Sequence, residues 1–502
     1  MSGDNKAPKW SQYVAIAILA VSSLFVIWAS QPVWEQQHLN DDSFITLTYA
    51  KNLVNGNGFV YNHPPATLGT TTPFFTLLTA GLTRILPTLT VIENAILISV
   101  LSWLGTAISL FFISKHLKFH PIAAAMPAVV LLTIVNSTWL WFLGMEIWLF
   151  EFLLVLSVYL VITNRQIWAG LIVGLLFLTR GEGSLMGIML GIFLLWKNKK
   201  IPWRYISAGS FILILWTTYA YPTFGTLLPN TLTAKIAHQT WLVEHGRNYH
   251  FFTLFSQRLP QWIQSFKLGS TWLMNPFLIL AGVGLMFVVI KKQWSWLLFV
   301  GWGLIYLIAY SIINPGTYPW YALHFYIIIE IMAGVGLAWL VNTAIHQTGR
   351  RKMGLILTAV LVAVVFIGSN LSRGFNTRQT YSGDNRAGPY TAIATWLNQN
   401  TQPEDSVAYL EIGYLGYFSN NRIVDLAGLI DPKIAANISQ HGFTWGFFHY
   451  HPTYLVFNPG MDSEAYLAKI RAAQNQYTEV ARFPGGPNDL PLILFQRIES
   501  QN

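Results

Sequence analysis

Apolar stretches long enough to cross a ~30 Å hydrocarbon layer recur along the chain, separated by short polar loops. The pattern predicts about eleven spans, near 11–30, 91–114, 121–137, 147–163, 167–179, 183–196, 205–222, 271–290, 294–313, 320–341 and 353–371. The stretches 167–179 and 183–196 are short and read as a hairpin broken at Thr179-Arg180-Gly181-Glu182-Gly183. The first stretch follows Lys6 and Lys9 and lacks a small-residue cleavage site, so it reads as an anchor. Residues 73–86 are apolar but too short to span, and are placed as an amphipathic helix on the outer leaflet. Residues 42–53 read as a further surface-lying helix.

Beyond 371 the pattern changes. Polar residues dominate, and helix signals at 391–400 and 463–476 alternate with strand signals at 406–410, 422–426, 454–457 and 492–496. The expected organisation is a mainly α polytopic membrane domain, 1–371, with large loops at 31–90 and 223–270, followed by a small α/β domain, 372–502.

Basic residues orient the spans. Lys115 and Lys118, Lys197, Lys199 and Lys200, Arg204, Lys291 and Lys292, and Arg350, Arg351 and Lys352 all fall on one set of short loops. Of the acidic residues, only Asp4 falls on that side. The positive-inside rule then predicts a multi-pass protein of the inner (plasma) membrane, with a cytoplasmic N-terminus and an extracytoplasmic C-terminal domain. Composition agrees: 53% of the 502 residues are hydrophobic and only 10% charged, which is too little polar surface for a soluble protein of this length. The net charge of +9 does not point to nucleic acid, because the basic residues mark loops and do not gather on one face. With no cysteine, disulfide and thiolate chemistry are excluded.

Ionisable groups near a bilayer are costly and mark function by default. Asp41 and Asp42 follow the first span; neighbouring helical side chains point about 100° apart, so one of the two faces a given site. A carboxylate there can take a proton from an acceptor hydroxyl, and equally can cap the helix. Glu146, at the entry of the fourth predicted span, is suited to a helix N-terminus, or to holding sugar hydroxyls, a metal or a water across the same cavity. Arg180 and Glu182 break the apolar hairpin; the guanidinium can grip a lipid phosphate or pair internally with Glu182. Lys235, closing Leu228-Pro-Asn-Thr-Leu-Thr-Ala-Lys235, is a second candidate phosphate ligand, or simply solvated. Glu151 reads as a packing or pairing residue, and Glu330 as the partner of some buried donor. His63, His238 and His324 stand singly and do not suggest a zinc site. The chain shows no P-loop, dinucleotide fingerprint or metalloprotease motif, and no cytoplasmic domain for a nucleotide-sugar, so a donor presented from within the membrane fits better.

The run DDSFITLTYAKNLVNGNGFVYN (41–62) resembles the signature of bacterial GT-C glycosyltransferases, nearest to the AftB-type terminal arabinofuranosyltransferases. The resemblance continues, in order, through GTTTPFFTLLTAGL (69–82), LGMEIWLFEFLL (143–154), LTRGEGSL (178–185), FGTLLPNTLTAK (224–235) and EIGYLGYFSNNRIVDLAGLIDP (411–432). It implies transfer, with inversion, of a sugar from a polyprenyl-phosphate donor to a hydroxyl of a cell-envelope glycan, lipid or protein. Asp41 matches the catalytic base of the first loop and Asp42 its acidic neighbour. Glu146 matches the second-loop acid, Arg180 the basic residue entering the sixth span, and Lys235 the lysine closing the PNT motif. Relatives carry an Arg near the outer start of the tenth span, where this chain has Tyr321-Ala-Leu-His324; His324 is then the expected replacement phosphate contact. The resemblance leaves a divalent cation open, because GT-C enzymes differ on this. Two rival classes remain: a transporter or flippase of lipid-linked substrate, which would favour repeated halves not found here, and a non-catalytic glycan-binding scaffold.

Overall fold

The computed structural model describes residues 7–62, 65–246, 250–267, 275–316, 318–349, 351–459, 476–485 and 490–498. Membrane-type helices follow one another as α1 (Lys9–Gln36), α4 (Val91–His116), α5 (Pro121–Thr133), α7 (Ile147–Ile162), α8 (Gln166–Thr179), α9 (Gly183–Asn198), α10 (Trp203–Phe224), α13 (Pro276–Ile290), α14 (Trp294–Ile313), α15 (Leu323–His346) and α16 (Arg351–Thr380). Between them lie α2 (Asp41–Val54), α3 (Pro73–Ile85), α6 (Ser137–Trp141), α11 (Asn230–Glu244) and α12 (Phe251–Gln264). Each predicted span thus corresponds to a helix. Five segments, Lys9–Gln36, Val91–His116, Trp294–Ile313, Pro319–His346 and Arg351–Thr380, are long and apolar enough to cross a membrane by length and composition.

Burial separates the inner helices from the outer ones. Helix α15 buries most of its length against α5 and α13, whereas α16 leaves Met353, Leu357, Leu361 and Val364 exposed on an apolar face that suits lipid. Helix α16 also continues to Thr380, past the end expected at 371.

The C-terminal part begins with α17 (Ala387–Asn400) and builds a five-stranded sheet in the order β2-β1-β3-β5-β4. The strands are β1 (Ser406–Tyr409), β2 (Arg422–Asp425), β3 (Tyr454–Phe457), β4 (Tyr477–Phe483) and β5 (Leu492–Arg497). Strand β1 pairs in parallel with β2 and β3, and β5 is antiparallel to β3 and β4. Helices α18 (Gly413–Phe418), α19 (Pro432–His441) and α20 (Trp445–Tyr450) fill the connections. Four strands stand where expected and β4 was not anticipated; the helix expected at 463–476 lies outside the described residues.

The sheet domain does not hang free. Helix α18 packs on α2, and α19 on α11. Tyr61 donates from its hydroxyl to the Ile412 carbonyl at 2.7 Å, and Lys51 from Nζ to that of Tyr417 at 2.6 Å. Asn62 exchanges two bonds with the Ile423 backbone, at 2.8 and 3.1 Å. Asn230, opening α11, donates to the Gly428 carbonyl at 2.7 Å. One continuous apolar core therefore runs from the helix bundle into α17 and α18.

Candidate active site

Helix α2 is capped by Asn40, whose Oδ1 accepts from the Asp42 N–H at 3.0 Å. That leaves both aspartates of the first turn available for other contacts. Asp41 is spent on the terminal domain: its Oδ2 accepts from the Gly413 N–H at 3.1 Å and its Oδ1 from that of Tyr414 at 2.9 Å. The approach is so close that a Cβ at Gly413 would overlap the Asp41 carbonyl. Burial pushes the Asp41 carboxyl up to about 7, against the pull of Arg386.

Asp42 is different. It is partly open, and its carboxylate makes no hydrogen bond among the described residues. It feels Lys235 and Arg386 as attracting charges and Glu146 and Asp384 as repelling ones. Burial, the largest effect, pushes its carboxyl above the ordinary aspartate range. Of the pair, Asp42 is the one that senses Lys235 and Glu146, whereas Asp41 senses Arg386 and Glu411.

Glu146 precedes α7 and meets Arg180, at the end of α8, with Nη1 2.5 Å from its Oε1. Arg180 also holds Glu182, at the start of α9, through Nε at 2.9 Å and Nη2 at 2.6 Å. All three are buried. The expected ion pair with Glu182 is present, but the guanidinium expected to grip a phosphate has each nitrogen already engaged by a carboxylate.

Lys235, on α11, makes no ion pair among the described residues. Its Nζ sits 4.2 Å from the centre of the Tyr318 ring and 5.1 Å from that of Trp320, and lies 3.5 Å from the Tyr321 hydroxyl. This aromatic cage comes from the short turn before α15, and Arg180 lies over the far ring, 5.8 Å from the centre of Tyr321. The cage went unread in the sequence, although Tyr318-Pro-Trp-Tyr321 is a dense aromatic run just outside a predicted span.

His324, expected beside the phosphate, is instead fully buried, with Nδ1 2.5 Å from Glu151 Oε1 and the ring packed among Phe150, Trp302 and Tyr306. As the second residue of α15 it meets Glu151 of α7 inside the bundle. Glu151 is thereby a pairing residue, as expected, and Glu330 finds its donor in the Trp139 indole N–H at 3.0 Å. His238 donates from Nε2 to the Ala427 carbonyl at 2.6 Å, tying α11 to the sheet domain.

No group of three or more acidic or histidine side chains of metal-binding spacing occurs among the described residues. A groove of about 340 Å³ between α8, α9 and α10, walled by Gly170, Gly174, Gly187 and Gly209, is apolar and contains none of these charged groups.

Comparison with known proteins gives the fold. ArnT from Cupriavidus metallidurans bound to undecaprenyl phosphate is similar at a TM-score of 0.58 and 14% identity, over 97% of this chain and 98% of that one. The oligosaccharyltransferase of Archaeoglobus fulgidus, tethered with an acceptor peptide, is similar at 0.56 and 11% identity, over 97% and 74%. The arabinofuranosyltransferase AftD from mycobacteria gives 0.53 and 14% identity, and there the chain spans only 40% of the neighbour's length. Residues 375–497 match a family described as a domain of unknown function (DUF8728). No curated protein sequence matches. The architecture is that of a multi-pass membrane protein with the GT-C fold and a small C-terminal sheet domain.

Proposed function

We propose that the chain is an inverting glycosyltransferase that moves a sugar from a polyprenyl-phosphate donor to a hydroxyl of a cell-envelope glycan, lipid or protein. The single observation that carries this reading is that Asp42, whose carboxylate makes no hydrogen bond among the described residues, feels the charge of Lys235, a cation with no carboxylate partner among them. Such a pair supplies a base and an anion site together. The ArnT neighbour, bound to undecaprenyl phosphate, supports a lipid-phosphate ligand for this fold. The distribution of lysine and arginine supports an extracytoplasmic site and a cytoplasmic N-terminus.

In this mechanism Asp42 takes the proton of the acceptor hydroxyl as its oxygen attacks the anomeric carbon from the face opposite the phosphate. The bond from that carbon to the phosphate oxygen breaks, and the electron pair leaves with the lipid phosphate. Lys235 stabilises the charge that grows there. Its rings fix the ammonium without neutralising it, so its charge stays available to the ligand. Glu146, oriented by Arg180, is placed to accept hydrogen bonds from donor sugar hydroxyls, and Glu182 shares the same guanidinium. Asp41 holds the base helix against the terminal domain. His324 supports the bundle from within.

Purified protein incubated with a panel of radiolabelled polyprenyl-phosphate pentoses and hexoses tests the reading. Release or transfer of one labelled sugar, lost in Asp42→Asn, is expected. No turnover of any donor, with vectorial movement of the lipid across proteoliposomes, would instead establish the flippase alternative.

A further inference from the structure

Over residues 41–50 of α2, only Asp42 and Thr46 keep partial exposure. Positions four apart share one helix face, so Thr46 stands one turn along from the proposed base on the face that carries it. A helical threonine usually turns its hydroxyl back to a carbonyl of the preceding turn. Thr48 does so, donating to the Phe44 carbonyl at 2.7 Å, and Thr76 and Thr83 of α3 donate likewise at 3.1 and 2.8 Å. Thr46 departs from this habit. Its hydroxyl lies 3.2 Å from that of Thr70 and 3.3 Å from that of Thr72, and those two lie 3.1 Å from each other.

The three hydroxyls close a triangle whose edges are slack, since an O–H···O bond normally measures about 2.7–2.8 Å. Anchoring the loop before α3 does not require it. Tyr49 already holds that loop, its hydroxyl accepting from the Gly69 N–H at 2.9 Å and donating to the Thr67 carbonyl at 2.7 Å. Each hydroxyl of the triangle can give a proton or take one, so a ligand hydroxyl can replace an edge and leave no group unpaired. The triangle carries no charge of its own, and with the Asp42 carboxylate one turn away it suits an alcohol better than an oxyanion.

Its surroundings say which alcohol. The Gly69 carbonyl, next to Thr70, accepts from the hydroxyl of Thr231, which sits one turn before Lys235 on α11. Asp42 in turn feels the charge of Lys235. The triangle is thus joined to the base through α2 and to the cation through α11. In the proposed reaction, the group held between the base and the departing phosphate is the transferred sugar itself.

We infer that the hydroxyls of Thr46, Thr70 and Thr72 bind one ring hydroxyl of the sugar being transferred, and so determine which sugar the chain accepts. The inference rests on the glycosyl-transfer reading and deepens it.

The test uses the full chain in detergent. Its probes are the polyprenyl-phosphate pentose or hexose that the wild type transfers from the labelled panel, and the monodeoxy analogues of that donor. One analogue is expected to be transferred about 10-fold more slowly than its parent, as for a single lost hydrogen bond. Thr46→Val, which keeps the shape and removes the hydroxyl, should bring that ratio close to one, while Thr46→Ser should preserve it. Comparing ratios between proteins cancels the analogue's own reactivity. Binding of undecaprenyl phosphate, which carries no sugar, should be equal in all three. Should Thr46→Val fail to fold, Thr72→Val replaces it, because it removes two edges of the triangle from a side chain that makes no helix-capping bond. Equal transfer of every analogue by the wild type, an unchanged ratio in a folded valine variant, or undecaprenyl phosphate binding weakened as much as transfer overturns the inference and leaves the enzyme reading standing. A wild type that transfers no donor of the panel removes the enzyme reading, and this inference with it.

Discussion

Arg180 reaches Glu146 at 2.5 Å from the end of α8, and the rest of its guanidinium is taken up by Glu182. Two buried carboxylates around one cation leave little positive charge for a ligand. In the proposed mechanism the burden of attracting an anion therefore falls on Lys235, whose partners among the described residues are aromatic faces and the Tyr321 hydroxyl. The predictions below follow from that division of labour.

Asp42→Asn removes the only proton acceptor proposed for the acceptor hydroxyl. Transfer is expected to fall about 10²- to 10⁴-fold, the usual range for loss of a general base, with donor-lipid binding retained. Asp41→Asn should behave differently: it replaces one of two backbone-held oxygens by an amide, at a cost of about 1.5–3 kcal/mol, and should show first as faster proteolysis of the terminal domain. Equal losses of transfer with equal proteolytic stability would deny the two aspartates separate roles.

Lys235→Ala should raise the KM for the donor about 10-fold or more, as expected for a lost contact to a charged group. Lys235→Arg should recover part of it, since a guanidinium also stacks on Tyr318 and Trp320. Steady-state kinetics at fixed acceptor concentration decide this.

Arg180→Ala strands Glu146 and Glu182 without their cation. Breaking a buried ion pair from one side costs about 3–5 kcal/mol, so a drop in thermal stability is expected before any kinetic defect is interpretable. Adding Glu146→Gln and Glu182→Gln to the same chain should restore part of the stability, measured by the unfolding temperature in detergent.

Asp425 at the end of β2 is buried, and burial pushes its carboxyl from 3.8 up to about 7 despite N–H donors from Ala427 and Ile430. The folded form thus holds a proton that the unfolded form releases. This contribution to stability is full below about pH 4 and is lost as pH rises through about 7. Asp425→Asn should flatten that part of the stability profile. Activity should run the opposite way: Asp42 must be ionised to act, and its raised carboxyl moves the acid limb of kcat/KM above the ordinary aspartate range.

The span pattern was legible because each membrane helix carries its own apolar signal, as does α2 with Asp41 and Asp42 in its first turn. The motif that Lys235 closes drew attention to it, but gave no sign of the rings of Tyr318, Trp320 and Tyr321 around its ammonium. What sequence periodicity does not carry is which far-apart residues meet. Nothing near Arg180 says that Glu146, 34 residues earlier, will occupy it. His324 shows no trace in its neighbourhood of Glu151, 173 residues away. The same holds for Arg386 and Glu411, which only the fold brings beside Asp41. Strand β4 was missed because its exposed and half-buried positions give no clean alternation, and its pairing shifts register between Glu479 and Ala481.

The bond from Tyr414 to Asp41 also has a consequence in time. Helix α2 leaves the ribosome early, yet the groups that hold its first turn are made 372 and 373 residues later. Every bundle helix has been synthesised by then. The helix bundle is thus fully synthesised before the donors to this turn exist, and a chain interrupted before Gly413 would lack the bonds that hold α2 to the terminal domain.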